Sequence, residues 1–143
     1  VTMDWKQSFS KIEIGKGVQL KVGKRVAVLS IGTIAKNVSE AIEQSNNPEI
    51  IAHYDMRFVK PLDVTLLHTI LQKYDSIITI EDNSIKGGFG SAILEFASSN
   101  NYKNDFKLLG IPDSFIDHGS VLDLQKSIGL DTQSLIKLLN TFS

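Results

Sequence analysis

Hydrophobic positions along the chain follow two alternating patterns. Short unbroken apolar runs occur at residues 26–31 (VAVLSI), 50–54 (IIAHY), 77–80 (IITI) and 106–111 (FKLLGI). Their length and β-branched content predict buried strands. Between them, apolar residues recur at helical spacing: Ile34, Val38, Ala41 and Ile42, then Leu67, Ile70, Leu71 and Tyr74, then Phe89, Ile93, Phe96 and Ala97. Each set predicts a helix with one face for a sheet. Thr33 and Asp63 stand where a short side-chain oxygen would cap the first two helices. Two further helices are expected at the end of the chain. Ser120 would cap one ending near Gly129, and Asp131 would cap another bearing Leu135, Leu138, Leu139 and Phe142 on one face. The segment VQLKV, followed by a turn at Gly23 and Lys24, predicts one more strand.

Regular alternation of strand and helix predicts an α/β fold with a mostly parallel sheet, because each parallel crossover needs a helix to return the chain. The carboxyl ends of parallel strands share one edge, where open α/β folds place ligands. Four stretches should meet there: Gly32-Thr33, Asp55-Met56-Arg57, Glu81-Asp82-Asn83 and Gly110-Ile111-Pro112-Asp113.

Composition narrows the setting. A chain of 143 residues fits one domain that buries roughly 70% of its unfolded surface. With 15 basic and 16 acidic side chains, no net field would attract nucleic acid or an anionic membrane. Cysteine is absent, so disulfides, thiolate metal sites and a cysteine nucleophile are excluded. No apolar run approaches the ~20 residues of a membrane span, and a cytoplasmic location is expected. The polar start, without an initiating methionine, is expected to be a linker from a preceding domain over residues 1–17, with the folded domain at 18–143.

Arg57 is the first candidate for chemistry. At the end of a strand on the ligand edge, its guanidinium could grip a phosphate or carboxylate with two parallel hydrogen bonds, or pair with Asp55, Asp63 or a neighbouring domain. Pro61 keeps Lys60 out of the helical region, so that the next helix begins at Asp63. The second candidate is EDNSIKGGFGSAILEF, in which Gly87, Gly88 and Gly90 open a helix whose free amides could bind an anion. It has neither phosphate-loop nor dinucleotide glycine spacing, and the alternative is close backbone approach to another element or subunit. Glu81 and Asp82 are adjacent in a strand, so they point to opposite faces and cannot form one acid-base pair. His53, His68 and His118 are scattered without metal-ligand spacing. Asp117-His118 near Ser120 lacks a nucleophile elbow, and the first central strand lacks the acidic cluster of a phosphorelay receiver. No catalytic residue and no metal ligand is assigned.

Taken together, IGKG, LSIGT, YDMRFVKPLD, TIEDNSIKGGFGSAILEF and LGIPDSFIDHGS resemble, in order and over nearly the whole chain, the C-terminal domain of the 1-deoxy-D-xylulose-5-phosphate synthase family. That family belongs to the thiamine-diphosphate-dependent transketolase superfamily. The resemblance implies a three-layer α/β/α sandwich with a five-stranded mixed sheet and one antiparallel strand, for which VQLKV is the candidate. It implies an enzyme that condenses pyruvate with glyceraldehyde 3-phosphate with loss of CO2, serving isoprenoid, thiamine and pyridoxal phosphate synthesis. Thiamine diphosphate and Mg2+ would be held by N-terminal and middle domains outside this chain, leaving the chain inactive by itself. Its implied partners are those domains and a second copy in a homodimer. The matched arginine, Arg57, would contact the substrate phosphate, while Asp55, Pro61, Glu81, Gly87, Gly88 and Gly90 would serve structure or interface. The 2-oxoacid dehydrogenase β subunits resemble the same arginine motif as D-x-R-x-x-x-P-x-D and are the alternative within the superfamily. A non-catalytic docking module of the same fold is the alternative outside it.

Overall fold

A computed structural model describes residues 10–116 and 118–142, so most of the expected linker and Asp117 lie outside the described residues. The strands are β1 (Val18–Lys21), β2 (Val26–Ile31), β3 (Ile51–Asp55), β4 (Ser76–Ser84) and β5 (Asp105–Ile111). The helices are α1 (Ala35–Glu43), α2 (Val64–Lys73), α3 (Phe89–Ser99), α4 (Val121–Ser127) and α5 (Thr132–Leu139). They form a five-stranded sheet in the order β1-β3-β2-β4-β5. β1 is antiparallel to β3, and the other pairs are parallel.

Period-two alternation in the strands explains the layers. Ala27, Leu29, Ala52, Tyr54 and Ile77 face a cluster with Leu67, Ile70 and Leu71 of α2 and Phe89, Ile93 and Ala97 of α3. Val26, Val28, Ile51, Ile78 and Ile80 face the opposite way, toward Val38, Ala41 and Ile42 of α1 and Leu135 and Leu139 of α5. The sheet is therefore sandwiched, as its nearly continuous apolar strands require. Crossovers of one hand explain which helix lies where. The chain moves from β2 to β3 in one direction, placing α1 on one face, then reverses past β2 to β4 and β5, placing α2 and α3 on the other.

Three of the four expected caps form. Asp63 accepts from the Leu66 amide at 3.0 Å, Ser120 from Asp123 at 3.2 Å, and Asp131 from Gln133 and Ser134 at 3.1 and 3.2 Å. Thr33 does not cap α1. Gly32, at φ 80°, turns the chain after β2, and Ile34 is already helical in the N-cap position. The Gly32 and Thr33 carbonyls accept from Ala35 and Lys36, so backbone alone starts this helix. Ile50, expected in a strand, ends the short 3-10 turn Pro48–Ile50. Its carbonyl accepts from both Lys24 and Arg25 at 3.1 and 2.9 Å, which holds the turn between β1 and β2. α4 stops in a Schellman motif: Gly129 at φ 75° donates to Lys126, Leu130 donates to Gln125, and Leu130 is buried.

His53 sits in the core beside β2, with Nε2 2.8 Å from Ser30 Oγ and Nδ1 3.2 Å from Ser39 Oγ. Ser39 donating to Nδ1, Nε2–H donating to Ser30, and Ser30 donating to the Tyr54 carbonyl satisfy every group around a neutral ring. Burial pushes its pKa down from 6.5 to about 4. Because the folded value lies below the unfolded one, the unfolded chain binds the proton first as pH falls. Stability from His53 is complete above pH 6.5 and declines toward pH 4, by about 3 kcal/mol. Urea unfolding at pH 7.5 and pH 4 should show this loss in the parent and a correspondingly smaller one in His53→Gln. Identical pH dependence in both proteins would refute it.

Candidate functional site

β2 and β4 are neighbours whose following connections leave in opposite directions, so the crevice above them is the topological switch point of the sheet. A cavity of about 340 Å³ lies there. Gly32 and Thr33 come from the end of β2, Asp82 and Asn83 from β4, and Val59 from the loop between β3 and α2. Two of the four expected stretches thus line this cavity, and the third, Asp55-Met56-Arg57, leads into the loop that supplies Val59. The fourth begins at the end of β5 and packs against β4: a Cβ on Gly110 would lie 2.9 Å from the Asn83 carbonyl oxygen. Asp113 turns outward and pairs with Lys86 at 3.1 Å.

Glu81 and Asp82 diverge as adjacent strand residues must. Asp82 is exposed, whereas Glu81 is only 2% exposed. The Glu81 carboxylate accepts from the Phe89 amide through Oε2 at 2.8 Å and from the Gly90 amide through Oε1 at 2.9 Å. The anion at the start of α3 is therefore a side chain of the protein itself, placed where helix amides and dipole favour negative charge. Glycine permits this closeness: a Cβ on Gly88 would lie 2.3 Å from Glu81 Oε2, and one on Gly90 would lie 2.6 Å from Thr79 Oγ1. Gly87, at φ 71°, supplies the turn before the helix.

Arg57 stands at the same edge, one strand beyond β2. Its backbone has φ 58°, a left-handed conformation unusual for a long side chain. Asp55 holds it there by accepting from the Arg57 amide at 3.1 Å, and the Phe58 amide closes a three-residue turn onto the Met56 carbonyl. The Arg57 side chain is about one-third exposed. Asp55 lies 3.8 Å from Nε, close enough for an ion pair and too far for a hydrogen bond, so the guanidinium donors stay available to an incoming anion. Asp63 does not pair with Arg57. It faces the segment before β1, accepting from the Gly17 amide at 3.1 Å and pairing with Lys16 at 3.8 Å. The sequence pointed to a cap and to a pairing with Arg57, and did not indicate this contact. The glycines of IGKG were the available signal for this second role, since a close backbone crossing needs them.

The structure brings together Arg57, Asp55 and the loop through Pro61, and separately Glu81 with Gly88 and Gly90. His68 is remote from both, bonded to the Tyr102 hydroxyl at 2.8 Å. Among the described residues no group of three or more histidine, aspartate or glutamate side chains could hold a metal ion.

Mixed five-stranded topology with helices on both faces defines an α/β sandwich domain, with Arg57 at its carboxyl edge. Residues 15–135 match the family described as "Transketolase, C-terminal domain", and the chain belongs to that family. It is 50% identical over 137 residues to the 1-deoxy-D-xylulose-5-phosphate synthase of Parabacteroides distasonis, covering 95% of this chain and 22% of that protein. The enzyme of the same name from Phocaeicola vulgatus is 44% identical over 142 residues, covering 98% and 22%. The chain thus spans about a fifth of these relatives' length. A solved split-gene transketolase, in an inactive β4 tetramer, superposes with TM-score 0.82 at 27% identity, covering 94% of this chain and 45% of that one.

Proposed function

We propose that this chain is the C-terminal domain of a 1-deoxy-D-xylulose-5-phosphate synthase, acting in the cytoplasm in the condensation of pyruvate with glyceraldehyde 3-phosphate with loss of CO2. Its relatives of that name, 50% and 44% identical along nearly all of this chain, support the reading. In it, the domain packs against the N-terminal and middle domains of the enzyme and a second copy, and Arg57 binds the phosphate of the aldehyde substrate. The left-handed backbone at Arg57 carries the assignment of that residue. A non-glycine residue at positive φ costs roughly 1–3 kcal/mol, and such strain clusters at ligand clamps.

Thiamine diphosphate supplies the carbanion chemistry of such an enzyme, held through Mg2+. The described residues do not fit it, because Glu81 occupies the helix amides that could cradle a diphosphate and no metal-binding cluster stands nearby. The chain alone is therefore expected to release no CO2 from pyruvate supplied with thiamine diphosphate and Mg2+. Detectable release would overturn that expectation.

Within the complete enzyme, Arg57→Ala should raise KM for glyceraldehyde 3-phosphate about ten- to hundredfold and leave KM for pyruvate nearly unchanged. A charge-assisted hydrogen bond is worth roughly 1.5–3 kcal/mol. Steady-state kinetics with each substrate varied in turn checks this, and equal changes in both constants would assign Arg57 to structure alone.

A further inference from the structure

The loop between β3 and α2 is anchored at its ends, where Met56 is buried and donates to the Ser30 carbonyl and Leu62 packs against the core, but little fixes the stretch between them. Apart from its ends, its backbone makes the Phe58-to-Met56 bond already described, and among the described residues Arg57 is held by Asp55 on the same strand end. What lies on the loop is the short segment of residues 13–17. A Cβ on Gly15 would come within 2.8 Å of Pro61 Cγ, at the far end of the loop. A Cβ on Gly17 would come within 2.8 Å of Leu66 Cδ2, 3.2 Å of the Asp55 carbonyl oxygen and 3.5 Å of Met56 Cα, at the near end. The two glycines thus press backbone onto both ends of the segment that carries Arg57.

One side chain fastens this strap. Asp63 is 6% exposed; its Oδ1 caps α2 through the Leu66 amide, and its Oδ2 takes the Gly17 amide. Lys16 adds an ion pair at 3.8 Å. A cap needs only one oxygen, so the second is committed to holding the strap.

We propose that Asp63, by clasping residues 15–17 over the loop of residues 56–62, is a positioning residue that sets where Arg57 presents its guanidinium. This rests on the phosphate reading of Arg57. It also gives the chain before β1 a mechanical connection to the substrate contact, since displacing the strap uncovers the loop between its buried ends, Met56 and Leu62.

Two variants of the complete enzyme test it. Asp63→Ser keeps an oxygen for the helix cap and loses the one that reaches Gly17. Gly17→Val leaves Asp63 intact and drives a branched side chain against Leu66 and Asp55. In both, KM for glyceraldehyde 3-phosphate should rise about tenfold, with kcat and the KM for pyruvate nearly constant. Added to Arg57→Ala, either change should have no further effect on KM, because the contact it positions is already gone. Amide exchange at Arg57 and Phe58 should quicken about tenfold while amides of β2 stay unchanged. Unchanged exchange at Arg57 and Phe58 would overturn the clasp, as would effects on KM that add to those of Arg57→Ala. If Arg57→Ala itself leaves the aldehyde KM untouched, the phosphate reading fails, and the exchange data still decide whether the strap holds the loop.

Discussion

Replacing Glu81 by glutamine is expected to lower the unfolding free energy by about 3 kcal/mol, although the two side chains have nearly the same shape. The carboxylate serves two amides at once, Phe89 through one oxygen and Gly90 through the other. Glutamine can satisfy one of them with its carbonyl. Its NH2 group would then face the second amide, donor against donor, at a position only 2% exposed and with no space for even a methyl group on Gly88. The loss combines a charge-assisted hydrogen bond, roughly 1.5–3 kcal/mol, with a buried unsatisfied donor, roughly 1–3 kcal/mol. Urea unfolding of parent and variant measures the difference. A change below about 1 kcal/mol would mean that the amides find another acceptor. Because the start of α3 borders the switch-point cavity through Phe89, the variant should also alter that edge.

Gly23→Ala should be at least as damaging, by about 4 kcal/mol or more, for a steric reason. The added Cβ would lie 2.1 Å from the Ala52 nitrogen and 2.2 Å from the Ile51 carbonyl carbon. These are backbone atoms at the start of β3, a central strand that cannot yield without breaking its ladder with β2. The alternative is for the β1–β2 turn to move, which also removes the Gly23 carbonyl from the Tyr74 hydroxyl at 3.2 Å. Tyr74 in turn meets the Tyr54 hydroxyl at 3.2 Å, and Gln19 of β1 donates to Tyr54 at 3.0 Å. Burial, reinforced by the Tyr74 hydroxyl, pushes the Tyr54 phenol well above its ordinary range. A single methyl group would therefore disturb both the edge strand and the buried tyrosine pair, the kind of overpacking that exceeds ordinary surface effects. Unfolding within 1 kcal/mol of the parent would show that the turn relocates freely.

Much of the architecture was legible because its causes are local. Apolar runs and helical spacing located the four parallel strands and five helices, and Asp63, Ser120 and Asp131 cap where short-range chemistry says they should. Thr33 failed as a cap because a neighbouring glycine turn delivered the chain already helical, a backbone choice that the threonine itself does not encode. At the site, the placement of Arg57 on the carboxyl edge followed from parallel topology. Its left-handed backbone did not, since nothing in the residues around it demands positive φ.

By itself, the sequence determined the α/β class, the strands and helices, most of their caps, and which stretches reach the ligand edge, because periodicity and capping act over a few residues. Tertiary structure alone decided what those stretches do on meeting. It brought Glu81 onto the amides of α3, where an external anion had been a possible guest, and brought Asp63 onto Gly17, 46 positions away. A carboxylate's role depends on which donors fold against it, and that is settled by the path of the chain rather than by neighbours in sequence.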